Sequence, residues 1–421
     1  MIQLMIIADD FTGALDTGVQ FAAWGAVVRV VTDVKYEYGN LDPLVQILVM
    51  DAETRHLSEQ EAYEVVYEAA RNAKKHQIPY IYKKTDSALR GNIGSELKAL
   101  KDAMGVNMLP FIPAFPQMGR TTRHGIHFID GKPVRESVFG KDPFEPVECS
   151  YVPDIIHRQT DAEVIVAERK WGVSLSERDA IVVFDADGYE DILVIAKKLD
   201  QMGLLKVTAG CAGFAASLPK LLGLTGEERR QPDFKSGLLV VCGSVNPITQ
   251  KQLDEAERKG FIRISLTPKQ KLTQQYWSGK EGQEDLKKIY KICLENQRCI
   301  IDTNDKPGTK ETEAYGMDRG LPLEKIREVI AENLGMLLKG LIDRKLHKTL
   351  LITGGDTLLG FMESMEIREM EPICEMAPGA VLSEFYTREA GYQIISKSGG
   401  FGEEDLLVKL AEKIERRKSS C

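Results

Sequence analysis

The sequence predicts an α/β protein of two domains, each with a mostly parallel sheet flanked by helices. Two observations predict it. Apolar strand-like runs alternate with amphipathic helical stretches along nearly the whole chain, as doubly wound sheets require. The runs also end in turns rich in glycine, hydroxyl or charged residues, where open α/β sheets form ligand crevices. At 421 residues the chain is long enough to bury more than one core.

The elements follow in order. "LMIIA" is apolar enough for a central strand buried on both faces. Asp9 and Asp10 come next, and Ala14, Leu15, Val19, Phe21 and Ala22 then form one helical stripe. One aspartate suffices to cap that helix, which leaves the other for a ligand. The expectation is that Asp9 is structural and Asp10 faces the crevice. "VVRVVTDV" and "LVQILVM" are further strands, the second leading into "DAETRH" with Asp51 and Arg55. Ser58 and Glu61 form a capping box that opens the next helix. "IPYIYKKTDSALRGN" carries Lys83, Lys84, Thr85, Asp86, Ser87 and Arg90 past a strand end, before the helix "IGSELKALKDAMG".

From Pro110 to Pro153 the rhythm breaks, and the proline-rich stretch is expected to form loops or small antiparallel strands over a cleft. Within it Arg120, Arg123, His124 and His127 are candidates for phosphate contact. "TAGCAGFA", from Thr208 to Ala215, is expected to serve helix packing. The polar, turn-rich stretch 223–236 reads as a linker, so the domains are placed at 1–225 and 235–421. Beyond it three strand-to-helix turns share one design. They carry Gly243 and Ser244, then Gly354, Gly355, Asp356 and Thr357, then Lys397, Ser398, Gly399, Gly400 and Gly402. Glycine lets backbone amides approach an anion, and a helix N-terminus adds partial positive charge. Three such turns in one domain point to a phosphate-rich ligand, with Lys397 expected to neutralise its charge.

Composition excludes several classes. A net charge of −8 argues against a general affinity for nucleic acid or anionic membrane. No apolar run is long enough to span a bilayer. Seven scattered cysteines suit a reducing cytoplasm, and Cys293 and Cys299 lack the second pair that a zinc site needs. Because the first strand begins almost at once, the expectation is of no secretory leader. There is no GxxxxGK[ST] and no GxGxxG after a first strand, so a P-loop enzyme is excluded and hydride transfer is disfavoured. In the first domain, lysine, arginine, hydroxyls and carboxylates together match a polyhydroxylated anion, cations taking its acid group and carboxylates its hydroxyls.

"ADDFTGALDTG", "KKTDSALRGN", "FIPAFPQMGRTT", "GSVNPITQKQ", "TGGDT", "PGAVLSEF" and "KSGGFGEEDLL" together resemble, in the same order, the blocks of the four-carbon acid sugar kinases. That resemblance implies ATP-dependent phosphorylation of a sugar acid such as threonate, erythronate or 3-oxo-tetronate. It implies acid contacts at Asp10, Arg55, Lys84, Thr85, Asp86 and Ser87. Nucleotide contacts fall on Ser244, Gly354, Gly355, Asp356, Thr357 and Gly399. Magnesium is expected to bridge the ATP phosphates through water and phosphate oxygens, with no dedicated set of protein ligands. Two aspartates are candidates for the general base: Asp86 is favoured, and Asp356 is given to the nucleotide or its magnesium. Closure about the linker is expected. The partners are the small acid and ATP, and a homodimer is compatible with the reading. The rival class is a non-catalytic sensor of the same two ligands.

Overall fold

The computed structural model describes residues 2–418 apart from 143–144, 168–170, 172–174, 176, 227–231, 233, 236, 307 and 387–390. Much of the expected linker therefore lies outside the described residues. Two compact units divide the chain, 1–229 and 230–421. Each has an α/β sheet flanked by helices, as the alternation predicts.

In the first unit the chain runs β1 (Leu4–Ala8), α1 (Phe11–Ala22), β2 (Val28–Val31), β3 (Ile47–Asp51), α2 (Glu59–Lys75), β4 (Tyr80–Lys84), α3 (Ile93–Met104) and β5 (Met108–Ile112). Then come β6 (Arg120–Arg123), β7 (Ile126–Ile129), β8 (Lys132–Pro133), α4 (Val152–His157), β9 (Val164–Ala167), β10 (Ala180–Phe184), α5 (Tyr189–Gln201), β11 (Val207–Gly210), α6 (Ala212–Ala215) and α7 (Leu218–Leu221). The sheet order is β2-β3-β1-β4-β11-β5-β10-β9, every pair parallel. After β1 the chain fills one side of it with β2 and β3, then crosses to the other with β4. The order reverses there, which is where such sheets open a crevice. Ala8 lies level with Asp51 on one side and Lys84 on the other, so the segments after these strands emerge side by side. Val66, Ala69 and Ala70 of α2 and Leu97 and Leu100 of α3 pack against the strands' apolar face. The Ser58–Glu61 capping box that starts α2 is present.

Two expectations are corrected. Pro110 is not in a loop but in β5, level with Val182 of β10. β11 joins β5 only at Phe111 and Ile112, so a single neighbour accommodates the missing donor. The irregular region begins after that strand, where β6, β7 and β8 do form a small antiparallel sheet. "TAGCAGFA" supplies β11, a strand inside the parallel sheet, as well as α6. Its glycine does serve packing: a Cβ on Gly213 would lie 2.6 Å from the Ala114 carbonyl oxygen.

The second unit runs β12 (Leu238–Cys242), α8 (Pro247–Arg258), β13 (Ile262–Ser265), α9 (Pro268–Leu272), α10 (Lys280–Glu295), β14 (Arg298–Asp302), α11 (Glu311–Met317) and α12 (Leu323–Asp343). It continues with β15 (Thr349–Thr353), α13 (Gly355–Ser364), β16 (Glu369–Ala377), β17 (Ala380–Tyr386), β18 (Gly391–Lys397) and α14 (Leu406–Lys418). Strands β13-β14-β12-β15-β18 are parallel, and β17 then β16 continue the sheet antiparallel. "AVLSEF" forms the body of β17. Cys242 is level with Thr353, and Thr353 with Lys397, so the three glycine turns leave one edge together.

Candidate functional site

The first unit gathers its charges at the ends of β1, β3 and β4. Asp10 caps α1: its side chain accepts from the Gly13 N–H at 3.0 Å and the Thr12 hydroxyl at 2.8 Å. The cap is therefore the aspartate expected to face the crevice, though its side chain keeps 17% exposure against 2% for Asp9. Asp9 is the buried member. Arg55 donates to its Oδ2 from Nε at 3.0 Å and Nη2 at 2.7 Å, and Lys84 Nζ stands 3.6 Å from Oδ1. The same Arg55 Nη2 lies 2.9 Å from Asp10 and 3.4 Å from Asp86. Gly91, at φ +82°, makes room for this arginine, since a Cβ there would lie 2.9 Å from Arg55 Cγ. Gly13 does the same for Lys84, whose Nζ would be 2.5 Å from an added Cβ.

Burial works against these charges, and the pairing outweighs it. Asp9 is held below the usual carboxylate range by Arg55 and the two lysines despite its burial. Asp86 is held well below it by Arg90 and Arg55. Lys84 is pushed up by Asp9 and Asp10. Asp86 has its lone pairs filled: Oδ2 accepts from the Ala88 N–H at 3.1 Å, the Arg90 N–H at 3.2 Å and Arg90 Nε at 3.0 Å, and Oδ1 from Arg90 Nη2 at 3.0 Å. A carboxylate so held is a firm anchor and a weak base.

Asp10, Arg55, Lys84 and Asp86 thus come together. Ser87 accepts from Arg120 and is tied to that side of the cluster. Thr85 is turned into the sheet, its N–H on the Gly210 carbonyl at 2.8 Å and its side chain fully buried. Of the phosphate candidates, His127 is fully buried between Thr122 and the Ser87 carbonyl, each 3.0 Å away, and burial pushes it down to about 4. It is a neutral core histidine. Arg123 pairs with Asp187 at the surface, and Arg120 is buried over the Phe139 ring. His124 uses its backbone N–H on Asp185. The structure also brings in Arg90 and Glu53. Arg90 was visible four residues after Asp86; Glu53 was visible only as a second acid two positions after Asp51.

In the second unit the three turns converge. Gly354 sits at φ +108°, and a Cβ there would lie 3.3 Å from both the Ser244 nitrogen and the Thr357 hydroxyl oxygen. A Cβ on Gly399 would come within 2.6 Å of Ser244 Oγ, and one on Gly243 would overlap Thr357. Thr249 of α8 ties two turns together by donating to the Gly399 carbonyl at 2.8 Å. Asn304 donates to the Ser244 carbonyl at 3.1 Å. Ser244, Gly354, Thr357 and Gly399 therefore meet, and Gly355 opens α13, whose first N–H groups face this space. Asp356, in the first turn of α13, pairs with Arg327 at 2.8 Å and keeps 45% side-chain exposure. Lys397 departs from expectation: it is fully buried and donates to Thr249 at 3.3 Å and the Ser398 carbonyl at 3.0 Å. Burial pushes it down to about 8, and its bonds knit the turns together.

The comparisons with known proteins divide the chain in the same way. Residues 4–218 match a family model described as a sugar-binding N-terminal domain, and residues 239–407 one described as a nucleotide-binding C-terminal domain. The chain is 27% identical to a D-threonate kinase of Salmonella typhimurium, over 98% of this chain and 99% of that protein. A D-erythronate kinase of Heliobacterium modesticaldum is 26% identical, over 96% of this chain and 95% of that one. A 3-oxo-tetronate kinase of Pseudomonas fluorescens is 25% identical over the same shares. A solved structure from Salmonella typhimurium LT2 shares the fold, with a TM-score of 0.78 at 20% identity over 98% of this chain and 100% of that one. Two consecutive domain matches and kinases aligned end to end carry one conclusion: the chain belongs to the four-carbon acid sugar kinase family and is a carbohydrate kinase with a hydroxyl acceptor.

Proposed function

We propose that this kinase transfers the γ-phosphoryl group of ATP to the terminal hydroxyl of a four-carbon sugar acid, D-threonate, D-erythronate or a 3-oxo-tetronate, in the cytoplasm. The observation that carries the reading is the cluster at the β1, β3 and β4 ends, where buried cations and carboxylates alternate around Arg55. Such a cluster suits a small acid bearing hydroxyls: Arg55 and Lys84 receive the carboxylate, while Asp10 accepts from hydroxyls. Asp86 anchors Arg55 and Arg90 in place.

The glycine turns around Ser244, Gly354, Gly355, Thr357 and Gly399 take the ATP phosphates on backbone N–H groups. Among the described residues no group of three His, Cys, Asp or Glu side chains gathers to hold a metal. Magnesium would therefore be held mainly by phosphate oxygens and water, with Asp356 as the carboxylate on that turn, and would supply charge neutralisation. The protein's share is positioning and exclusion of water.

ADP release from ATP, measured against a panel of D-threonate, D-erythronate, their L-epimers and 3-oxo-tetronates, tests the reading. ADP is expected to form only with a four-carbon acid present, and strongly with one member. Acid-independent hydrolysis, or inactivity on the whole panel, would sink it.

A further inference from the structure

The first unit holds a pair of acids that the reading above does not use. β3 ends at Asp51, and the chain turns at Glu53 in the left-handed region, φ +45°. That conformation is uncommon for a residue with a side chain, and it points Glu53 back over the start of α1. There its Oε1 accepts the Phe11 N–H at 3.1 Å. The Glu53 N–H in turn donates to Asp51 Oδ1 at 3.3 Å.

Asp51 is 1% exposed, and its Oδ2 has no donor within reach among the described residues. A buried carboxylate oxygen left so would be costly. The neighbourhood supplies the explanation. Burial pushes Asp51 well above the usual carboxylate range, reinforced by the charges of Glu53 and Asp10, and its carboxyl hydrogen-bonds the Glu53 side chain. Asp51 therefore favours its protonated form more than an ordinary carboxyl does and can offer that proton to Glu53. Glu53 itself is raised to about 7 by burial and then by Asp10; Arg55 and His56 oppose this without cancelling it. Glu53 keeps partial exposure, unlike Asp51. Asp10 is occupied by its cap and by Arg55, and Asp86 by Arg90.

We propose that Glu53, backed by the Asp51 carboxyl, is the catalytic residue that takes the proton from the acceptor hydroxyl. This rests on the kinase reading above. As the hydroxyl O–H breaks, its proton passes to a Glu53 oxygen and the hydroxyl oxygen forms a bond to Pγ of ATP. The bond from Pγ to the β,γ-bridging oxygen breaks, and its electron pair leaves with ADP. Water later removes the proton from Glu53. A base titrating near the working pH suits this task better than one locked as an anion.

The test is the pH profile of kcat/KM for the full-length enzyme with saturating ATP and the panel acid that the wild type prefers. Wild type is expected to gain activity as pH rises through a limb centred near 7. Glu53→Gln should lower kcat by about 10²–10⁴-fold, remove that limb and leave the acceptor KM within about threefold. Glu53→Asp should restore the limb and at least about tenfold of the lost kcat. Glu53→Gln with wild-type kcat and an intact limb would overturn the proposal alone. Should that variant fail to fold, Glu53→Ala with wild-type kcat and an intact limb would overturn it as well. A wild type inactive on every panel acid removes the kinase substrate reading, and this proposal with it.

Discussion

Arg55 shows how one residue does two jobs. It is the shared partner of Asp9, Asp10 and Asp86, so Arg55→Ala would strand a buried aspartate at a cost of about 3–5 kcal/mol. Arg55→Lys separates the roles, because it keeps the charge but loses the two-pronged contact with Asp9. Its acceptor KM should rise about tenfold or more while KM for ATP stays within about twofold, as steady-state kinetics would read. Asp86 makes the complementary statement about pH. Its folded pKa lies well below its unfolded one, so its contribution is present above about pH 4 and is lost as pH falls through the folded value. Asp86→Asn should therefore melt several degrees lower than wild type at pH 7, and the gap should close only well below pH 4.

At the scale of elements, the phosphate turns depend on glycine for two separate reasons. Gly354 needs its left-handed backbone, and Gly399 needs the space that Ser244 Oγ would otherwise contest. Gly354→Ala and Gly399→Val should each weaken ATP binding at least about tenfold by calorimetry, with far-ultraviolet circular dichroism unchanged. Normal affinity in both would detach these turns from the nucleotide. α13 is itself held close to α12 through small residues: a Cβ on Gly335 would overlap the Gly360 carbonyl, and one on Gly360 the Ala331 carbonyl. The turn that would meet the phosphates is thus backed by tight helix packing.

For the whole molecule, the division into two units predicts separable binding. Gly399→Val should lose ATP while binding the preferred acid as wild type does, and Arg55→Lys should show the reverse. Calorimetry in which both variants lose both ligands would refute that division of labour. No described helix is long and apolar enough to cross a membrane.

Much of this was legible in the sequence because it is local. Period and turn chemistry act over a few residues, so the strand–helix alternation, the Ser58–Glu61 box and the positions of the glycine turns could be read directly. The family was legible for the same reason, through short motifs in a constant order. Register and burial are not local. Which of Asp9 and Asp10 caps α1, why Asp86 is locked by Arg90, and why Lys397 and His127 are buried on partners inside the protein all depend on strands and helices brought together from afar. Pro110 could be placed in a strand only once β11 was seen to pair beyond it. Glu53 is the clearest case. Its residue type was on the page, but its role follows from the buried Asp51 beneath it and Asp10 beside it, and a carboxyl's charge state is set by burial and neighbours in three dimensions rather than by its place in the chain.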